Sequence, residues 1–307
     1  MSETSSNKYL DIHPAVAEAL NNQQPVVALE STALTHGFPY PDNLQLFRKL
    51  LETLETEGVQ PAITAILDGR IKVGLSTEQL DKLAATGSSS HKASRRDIAP
   101  LLASGLTGGT TVAATMVIAT MVGIRLMATG GIGGVHRGAE QNFDISADLQ
   151  ELAKSPVTVV CSGPKAILDL ALTREYLETM GVPVIGYRTK SLPAFYSVSS
   201  SEAVDYLIKT PDEAARLIEA HKDAGLQSGQ LICNPIPESF AIPLAEAETA
   251  IVEAISLARR EGVSGKALTP FLLQHLFRSA DHRFLKANKA LLKNNVQLAA
   301  EISKRIH

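Results

Sequence analysis

Only two cysteines stand in 307 residues, too few for a disulfide framework; Cys161 and Cys233 each sit in an apolar, strand-like run and read as buried thiols of a reducing cytosol. Glycine (21) and proline (15) are too scarce for a collagen-like or low-complexity chain. An excess of positive charge is also missing. The 29 Lys+Arg against 32 Asp+Glu leave a net charge of −3, which removes the footprint of a dedicated binder of nucleic acid or of an anionic membrane. Nor is there a long hydrophobic run: the longest, Val112 to Ile124, covers 13 residues and is broken by Thr115, Thr120 and Gly123. That is too short to cross a bilayer and reads as a buried helix. The opening Met1-Ser-Glu-Thr-Ser-Ser has neither a basic region nor an apolar core, so a cytoplasmic protein is expected. There is no His/Cys cluster, no H-E-x-x-H, no G-x-S-x-G and no G-x-x-x-x-G-K-[ST], which disfavours a zinc enzyme, an α/β-hydrolase and a P-loop nucleotidase.

What is present is an ordinary folded composition, 45% hydrophobic and 20% charged, without a linker, repeat or composition break. One α/β catalytic domain over 1–307 is expected. Val26 to Leu29 reads as a strand that delivers Glu30 to its carboxyl end. Asp42 as N-cap, Leu44, Phe47, Leu51 and Leu54 at helical spacing, and Gly58 as a stop predict an amphipathic helix. Ala62 to Leu67 and Ile71 to Leu75 flank Asp68-Gly-Arg70 as a β-hairpin, and Ser76-x-x-Gln79 is a capping box. Beyond a polar stretch, Ser88 to Arg96, the spacing predicts a helix over Thr110 to Gly123 and a strand over Arg125 to Thr129. A glycine loop, Gly130 to Gly138, follows. A helix over Ser146 to Lys154, a strand over Val157 to Cys161, a helix over Lys165 to Met180 and a strand over Val182 to Gly186 come next. Leu231 to Cys233 is a further strand, and helices cover Leu244 to Arg260, Pro270 to Arg278 and Leu285 to Ile306. This alternation predicts a three-layer α/β/α fold on a central mixed, mainly parallel sheet.

Ligands of such folds bind beyond the carboxyl ends of the strands, where Glu30, the Thr129 loop, Ser162-Gly-Pro-Lys165 and Asn234-Pro-Ile-Pro237 all fall. Gly108-Gly-Thr-Thr111, ahead of a long helix, reads either as a phosphate cradle or as a threonine-capped loop. Lys92 could supply a matching cation or belong to a solvated polar face. Gly130-Gly-Ile-Gly-Gly-Val-His-Arg-Gly138 fails the dinucleotide register, because His136 stands where glycine is needed. Its glycines still permit close approach to a ligand, with His136 and Arg137 placed for an anion or a pyrimidine carbonyl. Asp144 and Asp148 could hold a hard cation such as Mg²⁺ or Mn²⁺, although helix capping by Asp144 or Ser146 is the rival explanation. Lys165 opens a helix, where its charge opposes the dipole. Used as a nucleophile it must lose a proton, which burial or a second cation such as Lys92 would favour.

Several motifs in order along the chain resemble the pseudouridine-5′-phosphate glycosidases, the family also called indigoidine-synthase-A-like. They are Val27-Ala-Leu-Glu-Ser-Thr32 with His36-Gly37, Lys72-Val-Gly-Leu75, Ser94-Arg-Arg-Asp97 and Ala128-Thr-Gly-Gly-Ile-Gly-Gly-Val-His-Arg-Gly-Ala-Glu140. Phe143-Asp-Ile-Ser-Ala-Asp-Leu149, Gly186-Tyr187, Pro193-Ala-Phe195, Asn234-Pro-Ile-Pro237 and Thr269-Pro-Phe-Leu272 follow. The resemblance implies reversible cleavage of pseudouridine 5′-phosphate to uracil and ribose 5-phosphate, with one divalent ion, preferably Mn²⁺, per subunit of a homotrimer. By motif, Glu30 matches the family's proton donor, Lys165 its nucleophile and Asp144 its metal ligand. Lys92, Val112, Ser146, Ala147 and Asp148 match substrate-binding positions, and Thr129, His136 and Asn288 are nominated for the uracil end. Pro164 departs from the small residue expected beside the nucleophile.

The chemistry explains why an acid and an amine would be needed together. Pseudouridine joins C1′ to C5 through carbon, and the usual pair of carboxylates would ask an unactivated carbon to leave. An amine that adds at C1′ can take up the positive charge as a Schiff base. The runner-up readings are a Schiff-base lyase or aldolase on another phosphosugar, and a non-catalytic sugar-phosphate-binding regulator.

Overall fold

The structure, a computed structural model, describes residues 7–263, 265, 268–277 and 282–306. Its strands in chain order are β1 Leu10–Ile12, β2 Val26–Leu29, β3 Gln60–Leu67, β4 Arg70–Val73, β5 His91–Ala93, β6 Gly108–Thr110 and β7 Leu126–Ala128. They continue with β8 Val135–His136, β9 Thr158–Cys161, β10 Leu168–Asp169, β11 Val184–Tyr187, β12 Tyr206–Ile208 and β13 Gln230–Cys233. The main sheet runs β1-β4-β3-β2-β7-β9-β13-β11-β12, with β6 paired to β3 and β5 to β6. All its pairings are parallel except β3 with β4 and β3 with β6. The expected mixed, mainly parallel sheet is therefore present, and the hairpin at Asp68-Gly69 supplies one antiparallel pair through two residues with φ of 50° and 73°.

Period-two alternation makes the three layers. Val27 and Leu29 of β2, Val160 of β9 and Ile232 of β13 face one core, shared with Phe47 and Leu50 of helix Asp42–Thr56 and with Leu291 and Val296 of helix Arg283–Ser303. Val26, Ala28, Val159, Cys161, Leu231 and Cys233 face the other, shared with helix Val112–Val122. β2, β9 and β13 bury both faces, as central parallel strands under two helical layers must. Both cysteines are buried and unbridged. Helix Val112–Val122 is buried along most of its length and ends at Gly123, whose φ of 80° suits the left-handed cap. Among the described residues no helix is long and apolar enough to cross a membrane.

Four expectations are corrected. Gly108 to Thr110 is strand β6 rather than a loop, because Gly108 and Gly109 pair with both β3 and β5. A Cβ on Gly109 would lie 2.4 Å from Thr35 Oγ1, so only glycine lets the strand pass there. Lys165 does not open a helix: that helix is Leu170–Thr179, capped by Asp169, and Lys165 lies in the preceding loop. Asp42 is the first helical residue, with Pro41 at the cap position. Strand Leu10–Ile12, helix Pro14–Asn21, strand Tyr206–Ile208 and helix Pro211–Asp223 were not anticipated. The expected helix Pro270 to Arg278 is Leu268–Phe277, and Arg278 lies outside the described residues.

Candidate active site

A cavity of about 770 Å³ opens at the carboxyl ends of β2, β7 and β9. All eleven nominated residues line it: Glu30, Lys92, Val112, Thr129, His136, Asp144, Ser146, Ala147, Asp148, Lys165 and Asn288. Glu30 follows β2, is only 6% exposed, and accepts a hydrogen bond from the Thr129 hydroxyl at the end of neighbouring β7. Burial pushes its carboxyl pKa up and Asp148 adds to that, while Lys165, the Thr129 hydroxyl and Lys92 oppose it. A raised carboxyl pKa extends the pH range over which the group holds a proton to donate.

Lys165 is half-buried in the cavity wall rather than directed into bulk solvent. Its loop is stitched to the glycine loop: Lys165 N donates to Ile132 O (3.0 Å), and Ile132 N donates to Gly163 O (3.2 Å). Asp148 secures the other side of that loop. Its Oδ1 accepts from Ala113 N (2.9 Å) at the start of helix Val112–Val122, and its Oδ2 accepts from Gly133 N (2.8 Å). The helix N-terminus is thus met by a protein carboxylate, and Ala114 N is met by the Thr111 side chain (3.4 Å), so of the two readings of this segment the threonine cap is the one present. Ser146 settles the capping question, since its Oγ accepts from Asp148 N (3.2 Å) and it caps helix Ala147–Leu152, leaving Asp144 free of that duty.

Two histidines face the same space. The His136 pKa is drawn down by burial and by the Lys92 and Lys165 charges, with Asp144 acting the other way. His36 was quoted in a motif without a role, yet it lines the cavity and hydrogen-bonds Thr35 Oγ1 at 2.7 Å. Burial and the Lys92 charge lower its pKa to about 4, so its ring is neutral in ordinary buffers. It projects from a π-helical turn, Ala33–Gly37, a rare backbone form concentrated at functional sites. Its signal was its place just past the end of β2. Ser94, Arg95 and Arg96 also line the cavity, with Arg95 paired to the buried Glu151 at 2.5 Å. Lys92, Lys165, Arg95 and Arg96 therefore outnumber the carboxylates Glu30, Asp144 and Asp148 in the lining, a balance that suits an anionic ligand.

The sequence profile of the family described as indigoidine synthase A like protein matches residues 15–305. The chain belongs to that family. It is 51% identical over 298 residues to pseudouridine-5′-phosphate glycosidase 2 of Photorhabdus laumondii, covering 97% of this chain and 96% of that one. It is 50% identical over 299 residues to the pseudouridine-5′-phosphate glycosidase of Escherichia coli, covering 97% and 96%. Among solved structures, the prealnumycin C-glycosynthase AlnA in complex with ribulose 5-phosphate superposes with a TM-score of 0.88 at 39% identity, covering 98% of this chain and 97% of that one. An indigoidine synthase A-like protein of Thermotoga maritima gives 0.84 at 39% identity, covering 91% and 92%.

For a metal, the donor set is sparse. Among the described residues no group of three His, Cys, Asp or Glu side chains converges. Asp148 has both oxygens engaged by backbone N–H groups, and Asp144 with nearby His136 is what remains. That set fits a hard divalent ion that keeps several waters or takes substrate oxygens, the habit of Mg²⁺ and Mn²⁺, and not an all-protein cage.

Proposed function

We infer that this protein is a pseudouridine-5′-phosphate glycosidase, which reversibly splits the C1′–C5 bond to give uracil and ribose 5-phosphate. The observation that carries this reading is the sharing of one cavity by a buried carboxyl, Glu30, and an amine, Lys165, close enough for the lysine charge to act on the carboxyl. Relatives at about half identity over nearly the whole chain carry that name, and AlnA, bound to a pentose phosphate, supports the sugar-phosphate half of the substrate.

In the proposed route Glu30 gives its proton to the ribose ring oxygen as the C1′–O4′ bond opens, and the Lys165 amine adds at C1′ and sheds a proton. The C1′–C5 bond then breaks, its electron pair leaving with C5, which takes up a proton. The nitrogen holds the resulting positive charge as an iminium. Water adds to that iminium and releases ribose 5-phosphate, with Lys165 regenerated. Thr129 orients Glu30, Lys92 and the neighbouring arginines meet the phosphate, and His136 and Asn288 face the base. Asp144 would hold a Mn²⁺ ion, which when bound would anchor and polarise substrate oxygens. The enzyme is proposed to work as a cytoplasmic homotrimer on a small nucleotide.

The test is turnover. Purified protein with pseudouridine 5′-phosphate and Mn²⁺ is expected to release uracil, and no release of free base at any pH or with any divalent ion would overturn the reading. Competition by ketose phosphates as true substrates would instead favour the lyase alternative.

A further inference from the structure

We propose that Asn295 is a positioning residue that holds the glycine loop and the lysine loop in one fixed relation, and so sets the approach of Lys165 to Glu30. The inference rests on the reading of those two side chains as the reacting pair.

Asn295 is fully buried on helix Arg283–Ser303, about two turns beyond Asn288, and its side chain points at the carboxyl ends of three adjacent strands. Its Nδ2 donates to Thr129 O (2.8 Å) and Gly130 O (3.3 Å), both just past β7, and to Ser162 Oγ (3.1 Å), just past β9. Its Oδ1 accepts from Asn234 Nδ2 (3.2 Å), just past β13. The two carbonyls can only accept, so the amide can stand only this way round. One side chain therefore ties together the three segments at which the parallel strands stop and their ladder bonds end.

Those segments lead directly to the reacting groups. Thr129, held through its carbonyl, presents the hydroxyl that binds Glu30. Gly130 O accepts from Ser162 N (2.9 Å), and Gly163, Ile132 and Lys165 continue the stitching. A buried asparagine with every polar atom engaged costs stability to remove wherever it sits. What marks this one as functional is where its bonds go: to loop backbone on the way to Glu30 on one side and Lys165 on the other, not to the regular part of the sheet. Apolar packing cannot replace it, because leucine or valine would strip the Asn295 donor from the Thr129 carbonyl and leave Gly130 O with Ser162 N alone.

The experiment compares Asn295→Leu, Asn295→Ser and the milder Asn234→Ala with Thr129→Val and wild type, using the full chain and pseudouridine 5′-phosphate. Each folded variant is checked by its melting curve. The expected result for Asn295→Leu is a fall in kcat of tenfold or more, with KM changed by less than about threefold, since the loops still form the cavity but no longer hold the pair in register. Asn295→Ser, which keeps one donor, is expected to recover part of that loss. Releasing Thr129 also weakens its hydrogen bond to Glu30, which acts with the Lys165 and Lys92 charges to hold the carboxyl pKa down against burial and Asp148. The carboxyl ionisation in the pH–rate profile is therefore expected to move upward in Asn295→Leu, in the same direction as in Thr129→Val. A role confined to stability would lower the melting temperature and leave both the kcat of the folded fraction and the profile unmoved, and that outcome would overturn the proposal. Should Asn295→Leu fail to fold, an unchanged kcat and profile in both Asn295→Ser and Asn234→Ala overturns it equally. If wild type itself does not turn the nucleotide over, the functional reading fails; if wild type works and the variants match it, only the role of Asn295 falls.

Discussion

At the scale of single residues the account depends on protonation. Glu30 acts as an acid, and burial raises its pKa. Its active form therefore persists below the raised folded value and is lost as pH rises through it. The sign for stability is the same: the neutral carboxyl is the form the buried site favours, so its contribution is complete below the unfolded pKa and fades as pH climbs through the folded one. Glu30→Gln is expected to lower kcat/KM by about 10²–10⁴-fold, to erase that ionisation from the pH–rate profile, and to flatten the loss of stability as pH rises through the folded value. The histidines give a complementary expectation. With His36 lowered to about 4, removing its ring should leave no histidine-shaped limb between about pH 6 and 8 to disappear, and a limb there that vanishes in His36→Asn would contradict the assignment. Glu30 and Lys165 were legible in the sequence because an ionisable group directly after an apolar strand is conspicuous. Asn295 was not, because beside Leu291, Leu292 and Val296 in a helix its buried face looks the same on paper as a solvated one.

At the scale of elements the glycine loop is the informative segment. A Cβ on Gly133 would meet Ser146 Oγ at 2.1 Å and Asp148 Oδ2 at 2.9 Å, and one on Gly131 would meet the Phe195 ring at 2.6 Å. Gly133→Ala is expected to push Asp148 off the helix start and to cost at least tenfold in kcat/KM, measured on folded protein, whereas Gly181→Ala, with open space around it, costs stability through its φ of 69° but leaves the site alone. The strands, the hairpin and the capping box at Ser76 were readable because their signals are local. The loop before helix Leu170–Thr179 was not: Leu168 and Asp169 pair with His136 and Val135, and Pro164 bridges Ile132, contacts supplied by distant residues. Helix Pro211–Asp223 is a different kind of miss, since Thr210-Pro-Asp-Glu213 is a cap, an N1 proline and an acidic first turn in plain sight.

For the whole molecule, the alternating strands build two cores, and the strand ends at one edge of the sheet gather residues 30 to 288 into one cavity. A homotrimer predicts a sedimentation mass of three times the 32.7 kDa of the chain, and a mass of one chain at working concentration would remove that part of the proposal. Ribose 5-phosphate at about a hundred times its Kd is expected to stabilise the folded protein by about 2.7 kcal/mol, visible as a raised melting temperature that Lys92→Ala reduces. The central claim, a covalent bond between one amine and an opened pentose, is tested most directly by adding borohydride during turnover of pseudouridine 5′-phosphate and mapping the modified peptide. The account predicts a reduced ribose-phosphate adduct on Lys165, absent from Lys165→Ala, which is inactive; an unmodified Lys165 together with substantial activity in Lys165→Ala would contradict it.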